Sequence, residues 1–479
     1  MLRWRSASPL WLDEAQCVAI ARLPIAQLVS TLRQDGSPPL YYLMLHFWMH
    51  IFGSGATSAR SLSGVISVAT LAPMWCIGRR LGGSKVAWIS VLLLASSPFA
   101  VRYGSEARMY ALVMLLSLLL LITAWRCAQA PTSNRIALVA IVTTAMLLTH
   151  YWTLFLVAAV AVVAMTAPGL AARSRRAVVV AISVGAVLAA PAAPLLIWQM
   201  AHTATPWSAR PGLPAMLTAA SAFAAGLGGL RWLLCLCLVG AAALALRSGR
   251  RRDLAVDPAA MVARVAGLAT VFAFTAGVVS STALAPRYMS IIVPSTLLAA
   301  GASLGRHRRQ VLAAVSVGGM VTIGLVASLI DTTSMRTQAG QVAAALNPAA
   351  KPGDVVVYCP DQLGPDVSRL LHPATIQLTY PRRAAPQIVD WTDYAAIIKS
   401  TPTRPFAETI AATAGPGHDI WLVWAPAHRG LEQRCQELGL DLAALRGAPT
   451  NVLEPSRRYH EQAGVSRYPA TAGDPLRHE

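Results

Sequence analysis

The sequence predicts an α-helical, multi-pass membrane protein that ends in a small water-facing α/β domain. Three observations carry this. The chain is 55% hydrophobic and only 13% charged, against about 25% charged in an ordinary soluble domain. Its apolar residues fall in ten runs, approximately 58–81, 85–103, 108–125, 136–150, 152–168, 177–198, 231–247, 262–284, 288–304 and 309–330. These approach the length of about 20 residues that a spanning helix needs, and they lack barrel-type alternation. The net charge of +19 is also uneven: residues 1–330 hold 26 basic and 6 acidic side chains, residues 331–479 hold 14 and 15. A nucleic-acid binder can share that net charge, but it would not confine its arginines to the gaps between apolar runs.

The gaps give an orientation. Arg79, Arg80 and Lys85 fall in one, Arg126 and Arg135 in another, then Arg173, Arg175 and Arg176, then Arg247, Arg250, Arg251 and Arg252, then Arg306, Arg308 and Arg309. The positive-inside rule puts all five on the cytoplasmic side of a plasma membrane. The outer side receives 1–57, the short turns near 103–108, 150–152 and 285–288, the segment 199–230, and everything after 330. To keep that parity, Pro38–Gly53 is expected to lie in the interface as a juxtamembrane helix, and 214–230 to be re-entrant or interfacial. The N-terminus then starts outside, so a first spanning helix is expected upstream of Met1 that this chain lacks. Three regions follow: an outer first loop, 1–57; a transmembrane core, 58–330; and an outer domain, 331–479. Only three of the 40 basic residues are lysine, a bias that fits a GC-rich bacterial genome.

In the outer domain, strand-like runs at Asp354–Tyr358, Thr375–Thr379 and Ile420–Trp424 alternate with helical patterns such as Leu431–Leu445, which predicts α/β. The last 25 or so residues, rich in Arg, Pro and Gly, read as loosely ordered. Cys359 and Cys435 share an oxidising compartment and could pair, although spacing alone does not prove connectivity. Cys76, Cys127, Cys235 and Cys237 read as packing residues, and Cys235-Leu-Cys237 is not a zinc pattern. Asp361 and Asp366 read as turn and helix-cap residues rather than acceptor contacts.

Carboxylates are scarce in the core, and that scarcity locates candidate chemistry. Between residues 58 and 330 there are Glu106, Asp253 and Asp257, the last two in a cytoplasmic gap, so Glu106 stands alone on the outer side of this window. The first loop adds Asp13, Glu14 and Asp35. Asp13 and Glu14 begin an amphipathic helix and point about 100° apart, so that one can face a reaction centre while the other holds a metal or braces the loop. The plainer reading of such a pair is dipole stabilisation at a helix N-terminus. Arg60, Arg102, Arg108 and Arg287 lie near outer helix ends, against the charge bias. A phosphate at the membrane surface would account for them, because guanidinium forks match phosphate oxygens. Headgroup snorkelling is the alternative for each taken singly. His150-Tyr151-Trp152, on an outer turn, reads first as an aromatic-belt anchor.

In order along the chain, Trp11-Leu12-Asp13-Glu14-Ala15, Asp35-Gly36-Ser37-Pro38-Pro39-Leu40-Tyr41-Tyr42, Arg60-Ser61-Leu62-Ser63, Glu106-Ala107-Arg108-Met109-Tyr110 and Ala285-Pro286-Arg287-Tyr288 resemble the GT-C membrane glycosyltransferases. The branch they resemble most holds the bacterial family 39-like relatives of protein O-mannosyltransferases and aminoarabinose transferases. The resemblance covers about 1–330. It implies a GT-C-like polytopic fold and transfer of a sugar from a polyprenyl-phosphate donor at the outer face, with inversion at the anomeric carbon. The acceptor it implies is a glycan, lipid or protein of the cell envelope. Asp13 would be the general base, with Glu14 beside it, and Glu106 would assist by binding a metal or the acceptor. A divalent cation (Mg, Mn or Zn) held by Asp13 and Glu106 is part of that expectation. Arg60, Arg108 and Arg287 would hold the lipid phosphate. Asp35, Tyr41, Tyr42, His46, Tyr103, Tyr110 and Tyr288 would line the substrate cleft. The second-loop acid stands here as Ser-Glu-Ala-Arg, whereas some members carry an aspartate slightly later. Two other classes compete: a polyprenyl-linked sugar transporter or flippase, for which no internal repeat or midplane acid is visible, and a non-catalytic glycan-binding membrane protein, which would tolerate loss of Asp13 and Glu106.

Overall fold

The computed structural model describes residues 2–203, 212, 214, 218, 238–243, 257–280, 285–372, 375–426 and 433–471. The expected span 231–247, the re-entrant segment 214–230, the cluster Arg247–Arg252 and the pair Cys235/Cys237 lie wholly or largely outside these residues. The chain divides into two compact units: a helical unit of Met1–Arg5, Ser37–Ile197 and Ser208–Thr333, and a second unit of Ser6–Gly36, Trp198–Trp207 and Ser334–Glu479. This division differs from boundaries at 57 and 330, because residues 6–36 group with the C-terminal region and not with residues 37–57.

Among the described residues, the α-helices up to Thr333 are α1 (Leu12–Ala21), α2 (Ile25–Asp35), α3 (Leu40–Phe52), α4 (Ala56–Ala69), α5 (Leu71–Ser96), α6 (Pro98–Gly104), α7 (Tyr110–Gln129), α8 (Ser133–Leu147), α9 (Thr153–Thr166), α10 (Ala172–Ala189), α11 (Ala193–His202), α12 (Pro258–Ser280), α13 (Val293–Gly305) and α14 (Gln310–Thr333). Five described helical stretches are long and apolar enough to cross a membrane: Ala56–Ser96, Tyr110–Gln129, Ala172–His202, Pro258–Val279 and Gln310–Thr333. Ser133–Leu147, Thr153–Thr166 and Val293–Gly305 are shorter apolar helices. Their outward side chains are themselves apolar (Val187, Ile197, Val279, Val311 and Val315 are each at least 66% exposed), as a lipid-facing surface requires. This is a multi-pass membrane protein.

Local chemistry sets where these helices stop. α5 is two arms joined at Gly82-Gly83, where Gly83 has φ +75°, a conformation that favours glycine. The arms fold back on each other: the Trp75 and Trp88 rings are 4.6 Å apart, and a Cβ on Gly78 would meet Ala87 Cα at 2.7 Å. Arg79, Arg80 and Lys85 thus sit on one turn, as expected. The expected span 85–103 is shorter than read, because α5 ends at Ser96. Ser97 precedes a proline, which disfavours helical backbone, and its Oγ accepts the Ala100 N–H at 3.3 Å to start α6. Likewise 177–198 breaks at a 3₁₀ turn over Ala190–Ala192, and 288–304 becomes a helix only from Val293, after a 3₁₀ turn at Pro286–Ile291. At the basic ends, Arg135 donates to the carbonyls of Arg126 and Ala130 (both 3.0 Å), and Arg175 to those of Leu170 and Ala167 (both 2.9 Å). Arg126 and Ala130 lie at the C-terminal end of α7, and Ala167 and Leu170 in the turn after α9. Arg306 grips Asp257 through two oxygens at 2.8 and 2.9 Å.

The second unit is a five-stranded sheet between helices. Its strands are β1 (Val355–Cys359), β2 (Ile376–Thr379), β3 (Ile420–Trp424), β4 (Thr450–Leu453) and β5 (Gly464–Tyr468), in the order β2-β1-β3-β5-β4. β2, β1 and β3 are parallel, whereas β5 runs antiparallel to both β3 and β4. Alternate residues of β1 feed two cores: Val355 and Val357 pack with Phe406, Ile410 and Leu438, while Val356 and Tyr358 pack with Val342, Leu363 and Trp421. The three strand-like runs read from the sequence are β1, β2 and β3. The C-terminal stretch, expected to be loose, instead supplies β5, which pairs along all of β3. Cys359 and Cys435 form a disulfide.

Candidate functional site

The candidate residues fall in both units. Asp13, Glu14 and Asp35 belong to the second unit, and the arginines, tyrosines, His46 and Glu106 to the helical unit.

In the second unit, α1 starts after Trp11, an extended residue whose side chain makes no cap. The missing cap comes from far away: the Leu12 N–H donates to both oxygens of Glu461, at 3.0 and 3.2 Å. The roughly 100° offset expected of Asp13 and Glu14 is visible in their burial. Glu14 is fully buried, whereas Asp13 is half-buried. Asp35, at the end of α2, accepts from Gln16 Nε2 at 2.6 Å, and Gly36 closes that helix with φ +79°. Gln16 also bridges to the Val389 backbone (N–H to Oε1, 3.2 Å), which ties the first loop to the C-terminal region. Asp361 and Asp366 are both buried. Asp366 caps the Val367 N–H at 2.9 Å and accepts from Thr337 Oγ1 at 2.5 Å, in line with the turn-and-cap reading. Burial pushes the Asp366 carboxyl up to about 6 and the Asp361 carboxyl up to about 7. Burial and the neighbouring Asp366 hold Glu461 well above the ordinary carboxylate range.

In the helical unit, Glu106 lies in the tight loop between α6 and α7 and is fully buried. Arg102, one turn earlier, reaches it at 3.5 Å and reaches Asp331 at 3.2 Å. A carboxylate–guanidinium–carboxylate relay thus joins the loop to the last turn of α14. Asp331 is absent from the sequence reading because the apolar window closed at Ile330, while the helix runs on to Thr333. Arg108 donates to the Tyr42 hydroxyl at 3.3 Å, and its carbonyl accepts from Ser63 Oγ at 3.1 Å. Ser63 in turn bonds the Tyr41 hydroxyl at 2.8 Å. Arg60 is buried one turn before Ser63 on α4. His150 packs between Tyr110 (5.8 Å between ring centroids) and Tyr288 (5.2 Å). Its Nδ1 accepts the Trp152 N–H at 3.1 Å, which places the proton of the neutral ring on Nε2. Arg108 and Arg287 both lie close enough for their charges to act on this ring. Tyr288 stacks on Trp152 (4.6 Å) and lies under the Arg287 guanidinium (5.9 Å). Tyr103 packs against Tyr110 at 4.9 Å. His46 sits against His50 on α3, 4.6 Å away. His150, read first as a belt anchor, is a buried member of this group, and the two arginines that flank it in the motifs were the available signal. An apolar cavity of about 360 Å³, lined by Trp125, Val163 and Met261 among others, contains none of the candidate residues.

The helical group holds buried guanidinium groups, hydroxyl donors and a neutral imidazole N–H, a set suited to an anion. Among the described residues no three His, Cys, Asp or Glu side chains gather at one point, and Glu106 faces Arg102 at 3.5 Å.

A family model described as dolichyl-phosphate-mannose-protein mannosyltransferase matches residues 36–198. No curated protein matches the sequence. Among solved structures, ArnT from Cupriavidus metallidurans bound to undecaprenyl phosphate superposes with a TM-score of 0.59 at 13% identity, over 98% of this chain and 95% of that one. The oligosaccharyltransferase AglB from Archaeoglobus fulgidus, with an inhibitory peptide and a dolichol-phosphate, gives 0.54 at 11% identity, over 99% and 72%. The mycobacterial arabinofuranosyltransferase AftD gives 0.53 at 14% identity, over 98% of this chain but 38% of that protein. At such identities the likeness is one of fold, which this chain shares with these solved structures.

Proposed function

We propose that this protein is an inverting glycosyltransferase that moves a sugar from a polyprenyl-phosphate donor to a glycan, lipid or protein acceptor of the cell envelope, at the outer face of the plasma membrane. The observation that carries this reading is the buried Arg108–Tyr42 pair with Arg287 beside His150. It is a cationic, hydroxyl-rich group held at helix ends on the side where the charge bias disfavours cations. The relatives seen with polyprenyl phosphates have the same fold.

In the reaction the acceptor hydroxyl oxygen attacks the anomeric carbon and forms the new glycosidic bond. The bond from that carbon to the phosphate oxygen breaks, and the lipid phosphate leaves with the electron pair. A sugar hydroxyl is a poor nucleophile, so its proton passes to a positioned base, and half-exposed Asp13 has that role. Buried Glu14 braces the helix. Arg60, Arg108 and Arg287 stabilise the charge that develops on the leaving phosphate, and Tyr41, Tyr42, Tyr110 and Tyr288 shape the pocket around it. Glu106 fixes Arg102 and orients the acceptor. A transporter would place its acids at the membrane midplane, whereas Glu106 and Asp331 are both at helix ends.

The test is transfer from radiolabelled polyprenyl-phosphate sugars in membranes. Asp13→Asn is expected to lower kcat by about 10²–10⁴-fold with expression unchanged. Arg108→Ala and Glu106→Gln are expected to abolish most transfer. Wild-type activity in Asp13→Asn would remove the base assignment, and no transfer from any donor by the wild type would return the transporter and binding-protein readings.

A further inference from the structure

The base assigned to Asp13 stands one residue into a helix that has no cap of its own, and a distant segment of the chain supplies one. We infer that Glu461 is a positioning residue for Asp13, an inference that rests on the glycosyltransferase reading above. The residue types favoured at an N-cap are Ser, Thr, Asp and Asn, and here the position is Trp11, with no side-chain bond to the helix. Glu461 takes over by accepting the Leu12 N–H on both carboxyl oxygens, at 3.0 and 3.2 Å. The neighbouring His460 ring meets Trp11 edge-on at 6.0 Å. Residues 460 and 461 therefore hold the two positions immediately before Asp13.

Glu461 is itself fixed. Its N–H donates to the Arg336 carbonyl at 2.9 Å, and its carbonyl accepts from Gln338 at 3.0 Å. Its carboxyl interacts with that of Asp366. Asp366 is anchored by Thr337 and Val367. A shift in any of these bonds turns the first turn of α1, and with it the side chain of residue 13. A misplacement on the order of 1 Å at a reacting group costs roughly 10²-fold in rate. Glu461 touches no reacting atom in this scheme, so its effect falls on kcat and leaves donor KM in place.

The test uses the full chain in proteoliposomes, with transfer kinetics and hydrogen exchange of the peptide covering Leu12–Ala21. Glu461→Asp keeps the carboxyl but draws its oxygens back from Leu12. It is expected to lower kcat about tenfold or more at unchanged donor KM, and to speed exchange of the first α1 amides about tenfold. Glu461→Gln keeps the length, the acceptor oxygen and a bond to Asp366, and is expected to stay within about threefold of wild type in both readouts. Exchange of the β1 peptide, unchanged in both variants, reports an intact fold. Wild-type kcat in Glu461→Asp overturns the positioning role, whatever exchange does. Equal losses in the two variants overturn it as well, because the loss would then not follow the cap, which Gln keeps and Asp withdraws. Asp13→Asn is run beside them: full transfer in that variant refutes the base assignment, while exchange at α1 still decides whether Glu461 holds the helix.

Discussion

Asp361 makes the second unit less stable as the solution becomes more alkaline, and the size of that effect can be worked out. It follows β1, its N–H donates to the Tyr380 carbonyl at 3.0 Å, and its buried carboxyl accepts the Tyr394 hydroxyl. Gln362 holds that same hydroxyl at 3.3 Å. Burial raises the carboxyl from 3.8 to about 7, against the opposing pull of Tyr394 and Arg382. The folded state therefore binds this proton more tightly than the unfolded chain does. The stabilisation is full below pH 4 and is lost as pH rises through 7. A shift of that size is worth about 4 kcal/mol in full, of which about 2.5 kcal/mol is lost between pH 5 and 7.5. The assay is hydrogen exchange of the Val355–Cys359 peptide in the full-length protein, corrected for intrinsic rates. Protection is expected to fall by roughly 70-fold over that range. Asp361→Asn, which keeps an acceptor for Tyr394 and has no proton to lose, should flatten most of the slope. The remainder belongs to Asp366 and Glu461, whose raised carboxyls act in the same direction. A slope equal to wild type in Asp361→Asn would refute the reasoning.

Two further outcomes are expected. Cys359→Ser opens a loop of 76 residues and should destabilise the second unit by about 4 kcal/mol on chain-entropy grounds; denaturant melts of that variant with and without reductant check it, and an unchanged midpoint contradicts it. Because Glu106 faces Arg102 at 3.5 Å, transfer is expected to withstand EDTA. Loss on chelation with recovery on Mg or Mn would put a cation at Asp13 or Glu106 after all.

Legibility in the sequence followed the range of the forces involved. Most described apolar helices and arginine-bearing turns could be read, because hydrophobic length and charge bias are local properties of the chain, whereas the breaks inside 85–103, 177–198 and 288–304 could not. β1, β2 and β3 could be read as runs of Val, Ile and Leu. β4 and β5 could not: Thr450–Leu453 and Gly464–Tyr468 are short, partly polar, and lie in a stretch dense in Pro and Arg. β5 depends on pairing with the distant β3, and β4 depends in turn on β5. At the candidate site, the separate directions of Asp13 and Glu14 followed from helix geometry. Asp331 was hidden because the apolar pattern ends one residue before it, although the helix does not. The union of residues 6–36 with the C-terminal region has no local signal at all, since its bonds join Gln16 to Val389 and Leu12 to Glu461.

The bond from Leu12 to Glu461 spans 449 positions of sequence, and it orders events during synthesis. At roughly 5–20 residues per second, the ribosome needs about 20–90 seconds to travel between the two. Throughout that time the described spanning helices emerge and can insert, while the helix bearing Asp13 lacks the carboxyl that caps it. The second unit closes only once residue 461 has been made, so a chain stalled before it would carry the described spanning helices without a settled acid.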